Sequence, residues 1–224
     1  GYEQRQEFSR EGINTIVQLA RLAYLKNPLI RHGVSIQTFY VFGRGLTIQA
    51  KDKTINDVIQ AFIDDSNNQS ELTSPQARKE RDKELRIDGN TFFALFVEPS
   101  TGHVRIGTIP LEEIQAIKRD KNNRKKALYY KRVYQMETLD GAIETVTRWY
   151  RDFRNFTPVD SIGGVEVDQE CVIYHVKVGS FSDWAFGVSE IYPALDWARA
   201  YKSFLEDFAK IIKSLARFAW RKKT

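Results

Sequence analysis

The densest chemistry in this chain is cationic. Lys118 to Lys126 reads KRDKNNRKK, and residues 118–132 hold eight basic side chains against Asp120 alone, a local charge of +7. Residues 188–224 hold eight basic and four acidic side chains, or +4, so with a total of +5 the remainder stands at −6. Clustered cations bind phosphates by releasing condensed counterions; the competing reading of such a run is a solvated loop. The candidate contacts on it are Arg119, Lys121, Arg124, Lys125 and Lys126. A second set is Lys213, Arg217 and Arg221, with Lys222 beside them, because spacings of four keep the first three on one helical face. Their alternative role is to complement the dipole of a helix C-terminus.

Other reactive residue types are isolated. His32, His103 and His175 are far apart and show no metal-ligand spacing, so each reads as structural or surface. Cys171 has no second cysteine to pair with and lies in an apolar stretch, where a thiol is inert packing. The pairs Asp64-Asp65 and Glu112-Glu113 point apart on a helix and read as solvated faces. The sequence contains no GxxxxGK[ST], GxGxxG, HExxH or GxSxG pattern, and Gly43-Arg44-Gly45 is too short to cradle a phosphate. The expectation is a protein that is not an enzyme, with no catalytic residues, cofactor or metal.

The elements that must position the cations follow from periodicity. The chain has 224 residues, 42% hydrophobic and 28% charged, which is enough for one large or two small domains with a packed core. The longest run without Asp, Glu, Lys or Arg is His32 to Gly43, twelve residues, short of the about 20 needed to span a bilayer. The polar start shows no secretory signal, and the single cysteine fits a reducing, intracellular folding compartment. Ser9 caps a predicted helix to about Lys26, and Asn27-Pro28 starts a short one that ends before the β-formers Thr38 to Phe42. Leu46 to Gln49 reads as a strand and Thr54 to Asp65 as an amphipathic helix, with Thr54 and Asp57 near a capping box. Asn67 to Thr73 reads as polar and mobile, and Ser74-Pro75 as a further helix start. Thr91 to Glu98 and Val104 to Ile109 form a predicted hairpin, and Leu111 to Ile117 one or two helical turns. Leu128 to Gln135 and Ile143 to Tyr150 flank the turn pair Asp140-Gly141, and Val172 to Val178 is a last strand. From Ser189 to about Arg221 a helix of some 33 residues is predicted, roughly 50 Å long. Its stripe runs through Leu195, Ala198, Leu205, Phe208, Ile212 and Leu215, too long and broad for one compact domain to cover.

Three segments carry a family resemblance. LARLAYLKNPLIRHGVSIQTFYVFGRG (Leu19 to Gly45) resembles the N-terminal wing region of tailed-bacteriophage portal proteins. DGNTFFALFVEPSTGHVRIGTIPLEEIQAI (Asp88 to Ile117) is similar to the hairpin that follows it in that family. HVKVG (His175 to Gly179), with FGVSEIYPALDWARAYKSFLEDFAKIIKSLARFAW (Phe186 to Trp220), resembles its G-x-S motif and long helix. Together with the order of the segments, this likeness covers about three-quarters of the chain.

The resemblance implies an α+β, portal-like fold: a wing-like α+β region over residues 1–117, a β-rich, clip-like region with the basic loop over 118–178, and a long helix, stem or wing, over 179–224. It implies a homo-oligomeric ring, usually of twelve subunits, at one capsid vertex of the virion, assembled in the host cytoplasm. Such a ring passes double-stranded DNA without sequence specificity during packaging and ejection. It docks terminase, capsid and head-completion proteins, and does not itself hydrolyse ATP or enter a membrane. Portal subunits are considerably longer, so the resemblance also implies a fragment. The competing expectation from the residues alone is a monomeric, non-enzymatic nucleic-acid-binding α+β module.

Overall fold

The computed structural model describes residues 7–138 and 140–219, a mixed α+β fold of helices packed on one curled sheet, followed by a C-terminal helix. Local capping sets the first helices. The Ser9 hydroxyl accepts the Gly12 N–H at the start of α1 (Arg10–Lys26), and Asn27 Oδ1 accepts the Leu29 and Ile30 N–H groups at the start of α2 (Pro28–Phe42). Helix α2 runs straight through Thr38 to Phe42, against the expectation of a short helix. Val34 and Thr38 are buried on one face, and the Thr38 hydroxyl donates to Asp82 at 2.6 Å, so tertiary packing overrides β propensity.

The strand expected at Leu46 to Gln49 is irregular backbone, because no strand pairs with it. Side chains serve its carbonyls instead: Arg78 donates to Leu46 O and Gln60 to Ile48 O, each at 3.0 Å. Helix α3 (Lys53–Asp64) forms as expected, but its cap is Asp52, which accepts the Ile55 N–H, rather than Thr54 with Asp57. Asn67 to Thr73 is built, not loose: a short α4 turn (Ser66–Asn68) runs into a π-helical turn (Gln69–Thr73) around the fully buried Asn68. Helix α5 (Pro75–Asp88) follows the Ser74 cap and ends at Gly89, whose φ of 76° suits glycine.

Strands β1 (Asn90–Val97) and β2 (Val104–Ile109) form the expected hairpin. The helical turns expected at Leu111 to Ile117 are a single 3-10 turn, Leu111–Glu113, followed by strand β3 (Ile114–Arg119), which Tyr129 to Arg132 recruit by pairing. Strands β4 (Ala127–Glu137) and β5 (Ile143–Asp152) flank Asp140-Gly141. After the short β6 (Ser161–Ile162), strand β7 (Val165–Lys177) is longer than expected and pairs in parallel with β5, beside the antiparallel β hairpins that the portal likeness implies. The sheet order is β2-β1-β7-β5-β4-β3, with β6 paired to β7 off that path. Residues 117 and 118, where a region boundary was expected, both lie inside β3 of this continuous sheet.

Ile13, Ile16 and Val17 of α1 bury against Phe92, Ile114, Tyr130, Tyr150 and Ile173 of the sheet. A second cluster joins Ala20, Val34, Ile87 and Ile191 of α1, α2, α5 and the approach to the last helix. That helix, α6 (Leu195–Ala219), starts later than the expected Ser189. Ser189 is buried with its hydroxyl accepting the Ile191 N–H, and Pro193 sits in a 3-10 turn, Tyr192–Ala194. Its 25 residues span about 37 Å rather than roughly 50 Å. No helix among the described residues is long and apolar enough to cross a membrane.

Candidate functional site

The basic run closes the β3–β4 hairpin as a defined loop. Asp120 N–H donates to Lys126 O, and the side chains of Asp120 and Asn123 accept the N–H groups of Asn122 and Lys125. These Asx-type bonds explain why KRDKNNRKK turns here: the Asp and Asn residues supply the turn and leave the cations projecting. Lys121, Arg124, Lys125 and Lys126 are exposed. Arg119 is not, being drawn inward to Glu7 Oε1 at 2.8 Å and to the Asp183 carbonyl. Arg124 reaches the same Glu7 oxygen at 3.1 Å, and Glu7 Oε2 accepts the Ala185 N–H at 2.8 Å.

The loop overhangs a cavity of about 360 Å³. Four of the five candidate loop residues line it: Arg119, Arg124, Lys125 and Lys126; Lys121 does not. Across from them lie Arg154, just past β5, and Lys177, at the end of β7, with Tyr130, Phe153, Tyr174, His175 and Trp184 as an aromatic wall. The sequence reading missed Arg154, Lys177 and Glu7. The parallel pairing of β5 with β7 brings the ends of distant strands to one place, and no local pattern encodes that. Burial, and then Arg119, lowers the Lys177 ammonium below its ordinary range, while its Nζ donates to the Ser182 and Trp184 carbonyls. Asp152 is the one carboxylate in the lining, and it is already engaged by the Tyr130 hydroxyl at 2.8 Å and the Arg154 N–H at 2.9 Å.

The remaining candidates stand apart from this cavity. Lys213 and Arg217 are exposed on α6, which contributes nothing to the lining, and Arg221 lies outside the described residues. Of the two acidic pairs, Asp64 and Glu112 are exposed as a solvated face requires, while Asp65 and Glu113 are half-buried. Glu112 pairs with Arg21 and Glu113 with Arg132, while Asp65 caps α4 and meets His103 Nε2 at 3.2 Å. His32 is exposed. His175 is half-buried, stacked 4.1 Å from Phe92, and pushed down to about 3 first by loss of solvent and then by Lys177, so it stays neutral. Cys171 is buried, and burial followed by Asp168 pushes its thiol up to about 12, too high to yield a thiolate nucleophile.

The second notable surface is α6 itself. Every residue from 199 to 217 is exposed. Tyr201, Phe208 and Leu215 recur every seven residues, interleaved with Trp197, Phe204 and Ile211, and Leu205 and Ile212 widen the seam. A seven-residue apolar repeat suits packing against another helix at a shallow angle. On this chain only the first turns meet the body, where Leu195, Ala198, Tyr201 and Leu205 face Leu19, Leu22 and Leu29 across an apolar groove. The start of α6 is fixed by a backbone clasp. Gly187 N–H donates to Asn90 Oδ1, Val188 N–H to Val178 O and Glu190 N–H to Arg86 O. Among family models and curated proteins, none matches this chain.

Proposed function

We propose that the chain is a subunit of a tailed-bacteriophage portal, a ring at a capsid vertex through which double-stranded DNA passes. The observation that carries this reading is α6: a long amphipathic helix whose apolar seam, among the described residues, has no cover beyond its first turns. Isolated helices are marginal in water and gain most of their stability by burying such a face. Identical neighbours around a closed ring supply one cover per subunit by a single repeated contact. The α1–α2 corner, the β1–β2 hairpin and the glycine clasp before α6 are the three places where the sequence resembles portal proteins.

A channel must pass any sequence, and phosphate contacts without base-reading elements meet that need. In this reading Lys121, Arg124, Lys125 and Lys126 face DNA or the packaging motor, in or beside a clip-like region, with Arg119 bracing the loop through Glu7, and Lys213 and Arg217 face the channel. Terminase, capsid and head-completion proteins are the expected partners, the virion is the destination, and α6 is stem or wing.

The test is negative-stain imaging with light scattering of the full-length protein. Closed rings with a central hole, around twelve copies each, are the expected result. A solitary folded particle with the seam of α6 tucked into its own body overturns the ring and favours the second reading, a monomeric nucleic-acid-binding module. The basic cavity would serve that module equally.

A further inference from the structure

We propose that the cavity beneath the β3–β4 loop binds a phosphate group, held by Lys125, Lys126 and Arg154. The inference rests on the cavity and stands whether or not the chain closes into a ring.

Six cations line the cavity against Asp152. Arg119 and Arg124 share Glu7, and Lys177 is turned toward the carbonyls of the 181–184 segment. Asp152 faces the Tyr130 hydroxyl and the Arg154 N–H. Lys125, Lys126 and the Arg154 guanidinium are left with no carboxylate within ion-pair distance among the described residues. Three like charges around one concavity with low-dielectric aromatic walls create a positive potential that an anion relieves, and Arg154, which lies 4.8 Å over the Phe153 ring, keeps its charge there.

Glu7 shows what this wall accepts. Its carboxylate takes hydrogen bonds from the Arg124 guanidinium and the Ala185 amide and pairs with the Arg119 guanidinium, the kind of donor set an oxyanion uses. That position is occupied by the chain itself, whereas the part of the cavity bordered by Lys125, Lys126 and Arg154 is not. A phosphate fits this remainder better than a second carboxylate, because it carries up to two charges and presents oxygens to three donors at once. The two donor groups come from different elements, the hairpin loop and the end of β5, so a bound phosphate would bridge them.

The same chemistry is offered by a small phosphate, such as inorganic phosphate or a mononucleotide, and by a DNA backbone. The experiment is calorimetric titration of the whole protein with inorganic phosphate at low chloride, then with a short DNA duplex in the presence of phosphate. Saturable phosphate binding at one site is expected. Arg154→Ala and Lys126→Ala should each weaken it about tenfold, and Arg154→Lys should restore most of the loss. Lys118→Ala, at the exposed foot of the same basic run but outside the cavity lining, should leave it unchanged. Duplex that competes with phosphate identifies backbone phosphate as the ligand; duplex that does not compete identifies a small one. Absence of saturable phosphate binding overturns the proposal. So does a Lys118→Ala loss equal to that of Arg154→Ala, which would mean diffuse charge along the basic run. Near-UV circular dichroism confirms that each variant is folded, and Lys126→Gln replaces any alanine variant that is not.

Discussion

His175 shows how much a single side chain can bind the fold to pH. Asn90 Oδ1 accepts the Gly187 N–H, so it can only accept from His175 as well, which places the proton of the neutral ring on Nε2. The unfolded imidazole takes up a second proton near pH 6.5, while the folded one resists until about 3. Between those values the unfolded state binds more protons, so stability present at neutral pH is lost as pH falls. The shift amounts to roughly 2 kcal/mol at pH 5. His175→Gln keeps a donor for Asn90 without the titration. Urea midpoints at pH 7 and pH 5 should therefore fall further for the natural protein than for this variant; equal falls would exclude His175 as the sensor. Asn68 holds the fold by a different means, independent of pH. Its amide donates to Phe62 O and Val104 O and accepts the Ile106 N–H, covering the open edge of β2. Asn68→Ala should cost on the order of 3 kcal/mol and speed hydrogen exchange at Ile106, because it strands buried backbone groups. Nothing in the sequence separates this Asn from the polar residues around it, which is why residues 67–73 read as mobile.

At the level of elements, what could be read from the sequence was whatever neighbouring residues decide. Ser9, Asn27 and Ser74 cap helices because the bonds they make lie two or three residues away, and Asp140-Gly141 turns its hairpin for the same reason. Thr38 to Phe42 and Leu46 to Gln49 failed because α5 and its side chains decide those segments. The loop half of the cavity was visible as a charge run; Arg154 and Lys177 were not, since sheet order alone delivers them. The start of α6 lies between these cases. Its FGVSEI segment was recognisable, but the reason for glycine is the threading of backbone past backbone. A Cβ at Gly187 would fall 1.9 Å from Gly89 O and 2.7 Å from Val178 O. Gly187→Ala should therefore cost at least about 3 kcal/mol by overpacking, measured by chemical denaturation. A near-neutral result would mean that the clasp opens at little cost and does not fix the direction of α6.

For the whole molecule, two surfaces call for partners through opposite physics, and this separates them experimentally. The α6 seam is apolar: Phe204 is 62% and Phe208 51% exposed, and their rings stack on one another at 6.1 Å. Burial of each such side chain is worth about 1.5–3 kcal/mol and is little weakened by salt. The basic loop acts through counterion release, so its grip on DNA falls by roughly 0.9 log units per neutralised phosphate for each tenfold rise in salt. Phe204→Glu with Phe208→Glu should abolish assembly seen by light scattering. The thermal midpoint of the subunit should stay within a few degrees, because neither ring packs into its core. Replacing Lys121, Lys125 and Lys126 by Gln should do the reverse, leaving assembly intact while lowering DNA retention at 50 mM salt and flattening its salt slope. If the double Glu variant still assembles, the seam faces something other than a neighbouring copy. If the Gln variant loses assembly instead, the loop is a subunit contact and the roles assigned to the two surfaces must be exchanged.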